Sequence, residues 1–155
     1  MDQKASVPPR PIVQIDGPWS WGQATSGPHA TALSWALAEV IPRRRWFGAK
    51  TRDVASLELL EAIEVSPAVR LLLIQFRFGQ GAPELYQVPL GFAAAGSETY
   101  QRVQDAPASI GVESSGRPVG VLYDAVGEAQ FCAELLDLFD SPRTLTGSAG
   151  RRGAE

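Results

Sequence analysis

The spacing of hydrophobic and polar positions predicts two amphipathic helices. Over residues 29–41, apolar side chains recur at the i, i+4, i+7 and i+8 positions that share one helical face: Leu33, Leu37, Val40 and Ile41. Pro42 ends this helix, because the residue before a proline avoids the helical region. Over residues 127–140, the predicted buried face consists of Phe131, Leu135, Leu138 and Phe139, widened by Cys132 and Leu136.

Between the two helices, short apolar alternations bounded by turn residues predict strands. They cover residues 56–65, 69–78, 84–92, 110–113 and 119–124. Pro89 suggests that the third strand lies at an edge or carries a bulge. Strands that follow one another without crossover helices indicate an antiparallel meander. The sequence therefore predicts an α+β fold, with a curved antiparallel sheet of about five strands and both helices packed on one face.

The 155 residues suit a single hydrophobic core with less regular ends. Residues 1–28, with four prolines before Trp19, are predicted to form an irregular N-terminal arm, in which Trp19 and Trp21 dock on a core or a neighbouring domain. Residues 29–142 form the predicted domain. Residues 143–155 are polar and glycine-rich, and we expect a flexible tail or a truncated linker.

Charge and cysteine content restrict the partners and the compartment. The net charge of −3 and the pI of about 5.2 disfavour nucleic acid as a partner. No apolar run approaches the roughly 18 residues that a membrane span needs, so no membrane association is expected. The N-terminal residues lack the apolar core of a secretory signal. Cys132 is the only cysteine, so no disulfide can form within the chain, and a reducing cytoplasm is the expected location.

The residues that enzymes most often use for catalysis are scarce. The chain has one histidine, His29, and no asparagine. A catalytic triad would have to use His29, which we interpret as a solvated residue near a helix N-terminus. A kinase loop of the H-R-D-x-x-x-x-N type cannot be completed without asparagine. Lys50 and Thr51 do not form a phosphate-binding loop, because Ala49 and Arg44 stand where that motif needs glycine. We interpret the carboxylates near the second helix as its solvated face: Asp124, Glu128, Glu134, Asp137 and Asp140. No catalytic, substrate-binding or metal-ligating residue is predicted.

The most distinctive stretch is residues 44–52, here called the basic–aromatic segment. The residues that make it a candidate docking or structural signature are Arg44, Arg45, Trp46, Phe47, Gly48, Lys50 and Arg52. Such a segment can be structural, with the aromatic pair in the core, or it can dock another domain or an anionic ligand. We expect Trp46 and Phe47 to be buried anchors. The cations Arg44, Arg45, Lys50 and Arg52 would then form a partly exposed docking face that hardly affects folding.

Residues 45–52, R-W-F-G-A-K-T-R, resemble the R-W-F-G-G-K-G-R signature of the N-terminal cap domain of maltokinases. Residues 86–90, Y-Q-V-P-L, resemble the family's Y-x-V-P-L strand. Residues 121–125, V-L-Y-D-A, followed by F-C-A-E-L-L at 131–136, resemble its strand-to-helix step. The resemblance covers about residues 30–145. Ala49 and Thr51 depart from it, because they replace glycines and would be strained if those positions need a positive φ.

The resemblance implies a non-catalytic cap that precedes an aminoglycoside-phosphotransferase-like kinase body, which is absent from this chain. In that family the body uses ATP and Mg²⁺ to phosphorylate the anomeric hydroxyl of maltose, and related enzymes use other sugars, including glucosamine. No cofactor is implied for the chain itself, and its expected partner is a kinase body in cis or in trans. The alternative is a free-standing protein-interaction or regulatory module. A small enzyme of another type is disfavoured by the single histidine and the missing asparagine.

Overall fold

The computed structural model describes residues 9–141 and 144–147, and the strands come in the predicted order. They are β1 (Ile12–Gln14), β2 (Val54–Ser66), β3 (Val69–Phe78), β4 (Glu84–Ala94), β5 (Ile110–Ser114) and β6 (Arg117–Asp124). The helices are α1 (Trp21–Ala24), α2 (Gly27–Val40), α3 (Glu98–Val103) and α4 (Ala129–Asp140), with 3₁₀ turns at Ile41–Arg43 and Ala125–Gly127. None of the helices in these ranges is long and apolar enough to cross a membrane.

The six strands form one curled sheet in the order β1-β5-β6-β4-β3-β2. The α+β class, the curved sheet and the five predicted strands are confirmed. The sheet is mixed and not wholly antiparallel, because β1 pairs in parallel with β5 while every other pair is antiparallel. Pro89 lies in β4 next to the stretch that pairs with β6, which covers only Leu90–Ala94. The expectation of an edge strand or a bulge at Pro89 was wrong, because β4 lies between β6 and β3 and its pairing with β3 has no register shift. Pro89 lies instead where β4 pairs with β3 but not with β6.

The two predicted helices do not share a face of the sheet, which corrects that part of the prediction. One face carries the larger core, to which α2 contributes Leu33 and Leu37. The opposite face carries a second cluster, to which α3 contributes Val103 and α4 contributes Phe131. The reason is visible in β6, where Leu122 belongs to the first cluster while its neighbours belong to the second. Successive side chains on a strand point to opposite faces, so this strand is buried on both.

The helix boundaries shift slightly from the predicted ones. Helix α2 begins at Gly27, two residues earlier than predicted, with Pro28 in the first turn where its missing N–H costs no hydrogen bond. It ends at Val40, and Pro42 lies within the following 3₁₀ turn. Helix α4 begins at Ala129, because the preceding residues form a 3₁₀ turn capped by the Asp124 side chain.

The N-terminal arm is more ordered over residues 9–28 than predicted. It contains β1, α1 and the start of α2, so the expectation of an irregular arm was wrong for this part of the chain. The tryptophans dock on the domain, as expected. Trp19 stacks on Phe92 with the ring centroids 4.1 Å apart, and Trp21 is buried, with its indole N–H donating to the Pro67 carbonyl at 3.3 Å.

The C-terminal segment contacts the sheet through Thr146 and Gly147. The Glu64 N–H donates to the Thr146 carbonyl at 3.2 Å, and Gly147 forms an antiparallel bridge with Ile63 on β2. The expectation of a flexible tail does not hold at these two residues. The structure does not describe residues 143 and 148–155, so the expectation of a flexible tail stays a prediction there. Residues 1–8 of the predicted arm also lie outside the described residues. The division of the chain at residues 28 and 142 stays a prediction.

Candidate docking site

The basic–aromatic segment connects α2 to β2 through a series of tight turns. The Arg44 N–H donates to the Ile41 carbonyl at 2.9 Å, and the Phe47 N–H donates to the Arg44 carbonyl at 3.2 Å. The Arg52 N–H closes a last turn onto the Ala49 carbonyl at 3.0 Å. Because each turn reverses the chain, adjacent side chains of the segment point in different directions.

Phe47 is the buried anchor of the segment, as predicted. Its side chain is 2% exposed, and its ring lies 5.0 Å from that of Phe76 on β3 and 5.1 Å from that of Tyr86 on β4. Phe76 meets Tyr86 edge-to-face with centroids 5.5 Å apart. The three rings thus form a cluster that holds the segment to the sheet.

Trp46 is not a buried anchor, which corrects the second half of that prediction. It is 42% exposed, and its ring reaches Tyr86 only at 6.0 Å in a tilted geometry. Phe47 occupies the inward position, and the turn directs the neighbouring Trp46 outward. Two adjacent aromatics in an irregular segment look alike in the sequence, although only one of them fills the core.

Glu84 connects the aromatic cluster to the cations. Its Oε2 accepts a hydrogen bond from the Tyr86 hydroxyl at 2.7 Å, and its Oε1 accepts one from Arg52 Nη1 at 3.0 Å. Burial raises the pKa of Tyr86, and the hydrogen bond and charge of Glu84 raise it further, while the backbone of Gly48 and Ala49 acts in the opposite direction. The phenol therefore stays protonated and remains a donor to Glu84.

Arg52 is a structural residue of the β3–β4 turn and not part of a free basic face. Its Nη2 donates to the carbonyls of Gln80 at 3.1 Å and Ala82 at 2.7 Å, and its guanidinium lies 3.7 Å from the Phe78 ring centroid. In the same turn, Gly81 has φ +89°, and a Cβ there would lie 2.8 Å from Arg52 Nη2. The turn and the arginine therefore fit each other closely.

Arg44 is also a structural residue. Its Nη2 lies 3.0 Å from Asp124 Oδ2, with the two side chains 30% and 15% exposed. The other carboxylate oxygen of Asp124 accepts the Val126 N–H at 3.0 Å. Arg44 therefore ties the start of the segment to the end of β6 and to the 3₁₀ turn that leads into α4. These contacts argue against the prediction that Arg44 and Arg52 hardly affect folding, and a measurement of stability tests it.

The exposed part of the segment is smaller than predicted and consists of Arg45, Trp46 and Lys50. Arg45 and Lys50 are exposed and form no ion pair within the described residues. Between them lie the half-exposed indole of Trp46 and the exposed backbone of Gly48. Two cations beside an accessible aromatic ring are suited to bind a carboxylate- or phosphate-bearing surface.

Helix α4 leaves most of its apolar residues in solvent. Only Phe131 is buried, whereas Phe139 is 76%, Leu136 65% and Leu135 40% exposed. The predicted buried face of this helix was therefore wrong beyond its first turn. An exposed apolar surface on one helix marks a site that another protein surface can cover.

A comparison with protein families finds a match to the maltokinase N-terminal cap domain over residues 41–127. The match covers more than half of the chain. The chain belongs to this family. The matched region begins at the 3₁₀ turn before the basic–aromatic segment and ends at the turn after β6, so both residues of the Arg44–Asp124 contact lie within it.

The two departures from the cap signature cause no backbone strain. Among the residues that the structure describes, Ser115 is the one non-glycine residue with a positive φ, so neither Ala49 nor Thr51 adopts one. Ala49 is buried at 4% exposure and packs in the larger core of the cap domain. Gly48 also has a negative φ, and a Cβ there would lie 3.8 Å from the Tyr86 hydroxyl, an ordinary contact.

The sequence did not indicate the partners of several residues that organise the cap domain. Asp124 appears in the Y-D-A motif, but nothing there indicates an arginine 80 residues earlier. Gly81 lies between the second and third predicted strands and Glu84 begins the third, so the glycine of the connecting turn was the available signal. His29 lies in the first turn of α2 with Nε2 3.3 Å from Asp16 Oδ2, a surface contact at the helix start.

The described residues contain no group of three or more His, Cys, Asp or Glu side chains that could hold a metal ion. The carboxylates near α4 have separate structural partners. Glu128 accepts from Arg102, and Glu134 accepts from Gln130 at 3.1 Å.

Proposed function

We propose that the chain acts as the non-catalytic N-terminal cap of a maltokinase-type sugar kinase and docks on a kinase body in cis or in trans. The observation that carries this proposal is the family match over residues 41–127. In this proposal the kinase body holds ATP and Mg²⁺ and transfers the γ-phosphate to the anomeric hydroxyl of a sugar. The chain would work in a reducing cytoplasm, where its exposed Cys132 stays a thiol.

The exposed apolar residues of α4 support docking. Leu136 and Phe139 would lose most of their water contact on binding, which gives hydrophobic stabilisation of the kind found at the centre of interfaces. The end of β6 is fixed to the basic–aromatic segment by the Arg44–Asp124 contact, and exposed Val126 follows directly. A partner that covers the start of α4 would therefore also lie near this segment.

The cations that are free to meet a partner are Arg45 and Lys50. Such peripheral charges orient an encounter and speed association more than they add to the affinity of the final complex. The proposal thus divides the site by role. The α4 surface supplies buried apolar contact, Arg45 and Lys50 steer the approach, and Arg44 and Arg52 maintain the fold that holds both in place.

The proposal is tested by assaying ATP-dependent phosphorylation of maltose and glucosamine with three samples: the chain, a maltokinase-type kinase body without its cap, and the two mixed. We expect no sugar-dependent ADP release from the chain alone, and a change in the body's activity or KM when the chain is added. A chain variant with Leu136→Ser and Phe139→Ser is the matched control. ADP release by the chain alone would contradict a non-catalytic role, and no effect on the body would favour a free-standing interaction module.

A further inference from the structure

An open groove of about 660 Å³ lies between α2 and β2. Trp35 of α2 is 74% exposed on one wall, and Leu57 and Leu59 of β2 are half-buried on the other. Thr31 lies one turn before Trp35 and Glu39 one turn after it, so these three exposed side chains follow one line along the helix. The groove has the size and the largely apolar lining of a binding site, and its accessible indole is a surface that another molecule can cover.

The groove is acidic. Among the described residues that line it are two glutamates, Glu39 and Glu58, and no lysine, arginine or histidine. Glu58 lies at the rim and forms no ion pair in the part of the chain that the structure describes. Glu39 Oε1 lies 3.6 Å from Arg43 Nη2, and both of these side chains are exposed. This charge disfavours an anionic ligand, such as a phosphate ester, and favours a cationic one.

The domain already holds two of its own arginines between an aromatic ring and a glutamate. The guanidinium of Arg70 lies 5.3 Å from the Trp21 ring centroid, and Arg70 Nη2 lies 3.6 Å from Glu64 Oε2. Arg52 has similar surroundings in the β3–β4 turn, with an aromatic ring centroid 3.7 Å away and a glutamate oxygen at 3.0 Å. The α2–β2 groove offers the same two kinds of group, but no cation among the described residues lies over its indole.

We propose that the α2–β2 groove is a second docking site, which binds an arginine-bearing segment of a partner protein. The guanidinium stacks on the exposed face of Trp35, and its charge is met by Glu39 and Glu58 at the rim. Apolar side chains of the same segment cover Leu57 and Leu59. Arginine suits this site better than lysine, because a planar guanidinium can stack on a ring while its edge donates to a carboxylate.

The groove is separate from the surface proposed for the kinase body. Helix α2 packs on the larger core, whereas α4 packs on the opposite face of the sheet. A kinase body that covers the exposed residues of α4 would therefore leave the groove accessible. The chain would then hold two partners at once, and binding in the groove does not depend on the identity of the first partner.

The probe for this site is the peptide acetyl-Leu-Arg-Ala-Arg-Leu-amide, with a matched peptide in which citrulline replaces both arginines. Citrulline has nearly the shape of arginine but carries no charge. Titrations of the chain, followed by indole fluorescence and by calorimetry, should show saturable binding of the arginine peptide with a Kd below about 1 mM. The citrulline peptide should bind about tenfold more weakly, because it loses both the cation–π contact and the charge-assisted hydrogen bonds.

Variants of the chain assign the binding to the groove. Trp35→Ala should weaken binding of the arginine peptide about tenfold, and the double variant Glu39→Gln, Glu58→Gln about fivefold at low salt. The matched control is Glu98→Gln, an exposed glutamate of α3 on the opposite face, which should leave the Kd unchanged. Trp35→Ala should also leave Tm nearly unchanged, because its side chain is mostly in water, so lost binding would not reflect unfolding.

Equal affinity for the arginine and citrulline peptides would overturn the proposal, because the groove would then select apolar groups alone. Binding that is unaffected by Trp35→Ala would overturn it too, as would the absence of saturation at about 1 mM. A loss of peptide binding in Leu136→Ser, Phe139→Ser would place the peptide on α4 and contradict a separate site. These titrations contain no kinase body, so their failure would leave the proposed function standing.

Discussion

At the scale of single residues, the cap signature combines two roles in one short stretch. Phe47 fills the core, and Arg44 and Arg52 each bind a partner contributed by a later strand or turn. Arg45, Trp46 and Lys50 remain accessible. A signature that looks like a basic docking patch is therefore largely the set of contacts that joins α2 to the sheet.

The two aromatic residues of the signature should differ in their effect on stability. We expect Phe47→Ala to lower the free energy of unfolding by about 3–5 kcal/mol, because it empties a buried site lined by Phe76 and Tyr86. Trp46→Ala should cost only about 1–2 kcal/mol, since the side chain is 42% exposed and loses less burial. Urea denaturation checks both values, and equal losses would contradict the different burial of the two rings.

Arg44, which pairs with Asp124, and Arg45, which is exposed, should also differ in their effect on stability. Arg44→Glu should destabilise the domain by about 1–3 kcal/mol, between the values for exposed and buried pairs, because it places two carboxylates together. The charge-swapped double variant Arg44→Glu, Asp124→Arg should recover part of this loss. Arg45→Glu is the matched control and should leave Tm almost unchanged. A Tm loss for Arg45→Glu as large as for Arg44→Glu would show that Arg45 has a structural role.

At the scale of elements, the strands could be predicted from the sequence better than the face of the sheet on which each helix packs. Alternation of apolar and polar residues located β2 to β6. Strand β1 has only three residues and follows a proline-rich stretch, so it is too short to show a periodic pattern. The pattern of α4 indicated a buried stripe, but a stripe does not say what covers it. Phe131 packs in the second core cluster and Leu138 is half-buried, whereas Leu135, Leu136 and Phe139 are exposed to solvent.

Substitutions along α4 should therefore differ in their effect on stability according to their position. Phe131→Ala should lower stability by about 3–5 kcal/mol, because Phe131 packs in the second core cluster. The double variant Leu136→Ser, Phe139→Ser should change it by less than about 1 kcal/mol, since both side chains are already in water. Thermal unfolding followed by circular dichroism distinguishes them. A large loss for the double variant would mean that α4 packs more fully than its exposure indicates.

At the scale of the whole molecule, sequence and structure differ most in long-range pairing. The family signature, the α+β class and the order of the strands could be obtained from motifs and periodicity. The partners of Arg44 and Arg52 could not, because they lie 80 and 32 residues away and depend on how the sheet curls. The parallel pairing of β1 with β5 joins the first strand of the chain to a strand about 100 residues later. Nothing in the sequence near either strand indicates this pairing.

The most direct test of the account is the affinity between this chain and a maltokinase-type kinase body, measured by isothermal titration calorimetry. We expect saturable binding, weakened about tenfold or more by Leu136→Ser, Phe139→Ser. Charge reversal at Arg45 and Lys50 should weaken binding at low salt, with a smaller loss at high salt. Absence of binding at about 100 μM, well above the Kd of a standard interface, would contradict the proposed docking on a kinase body.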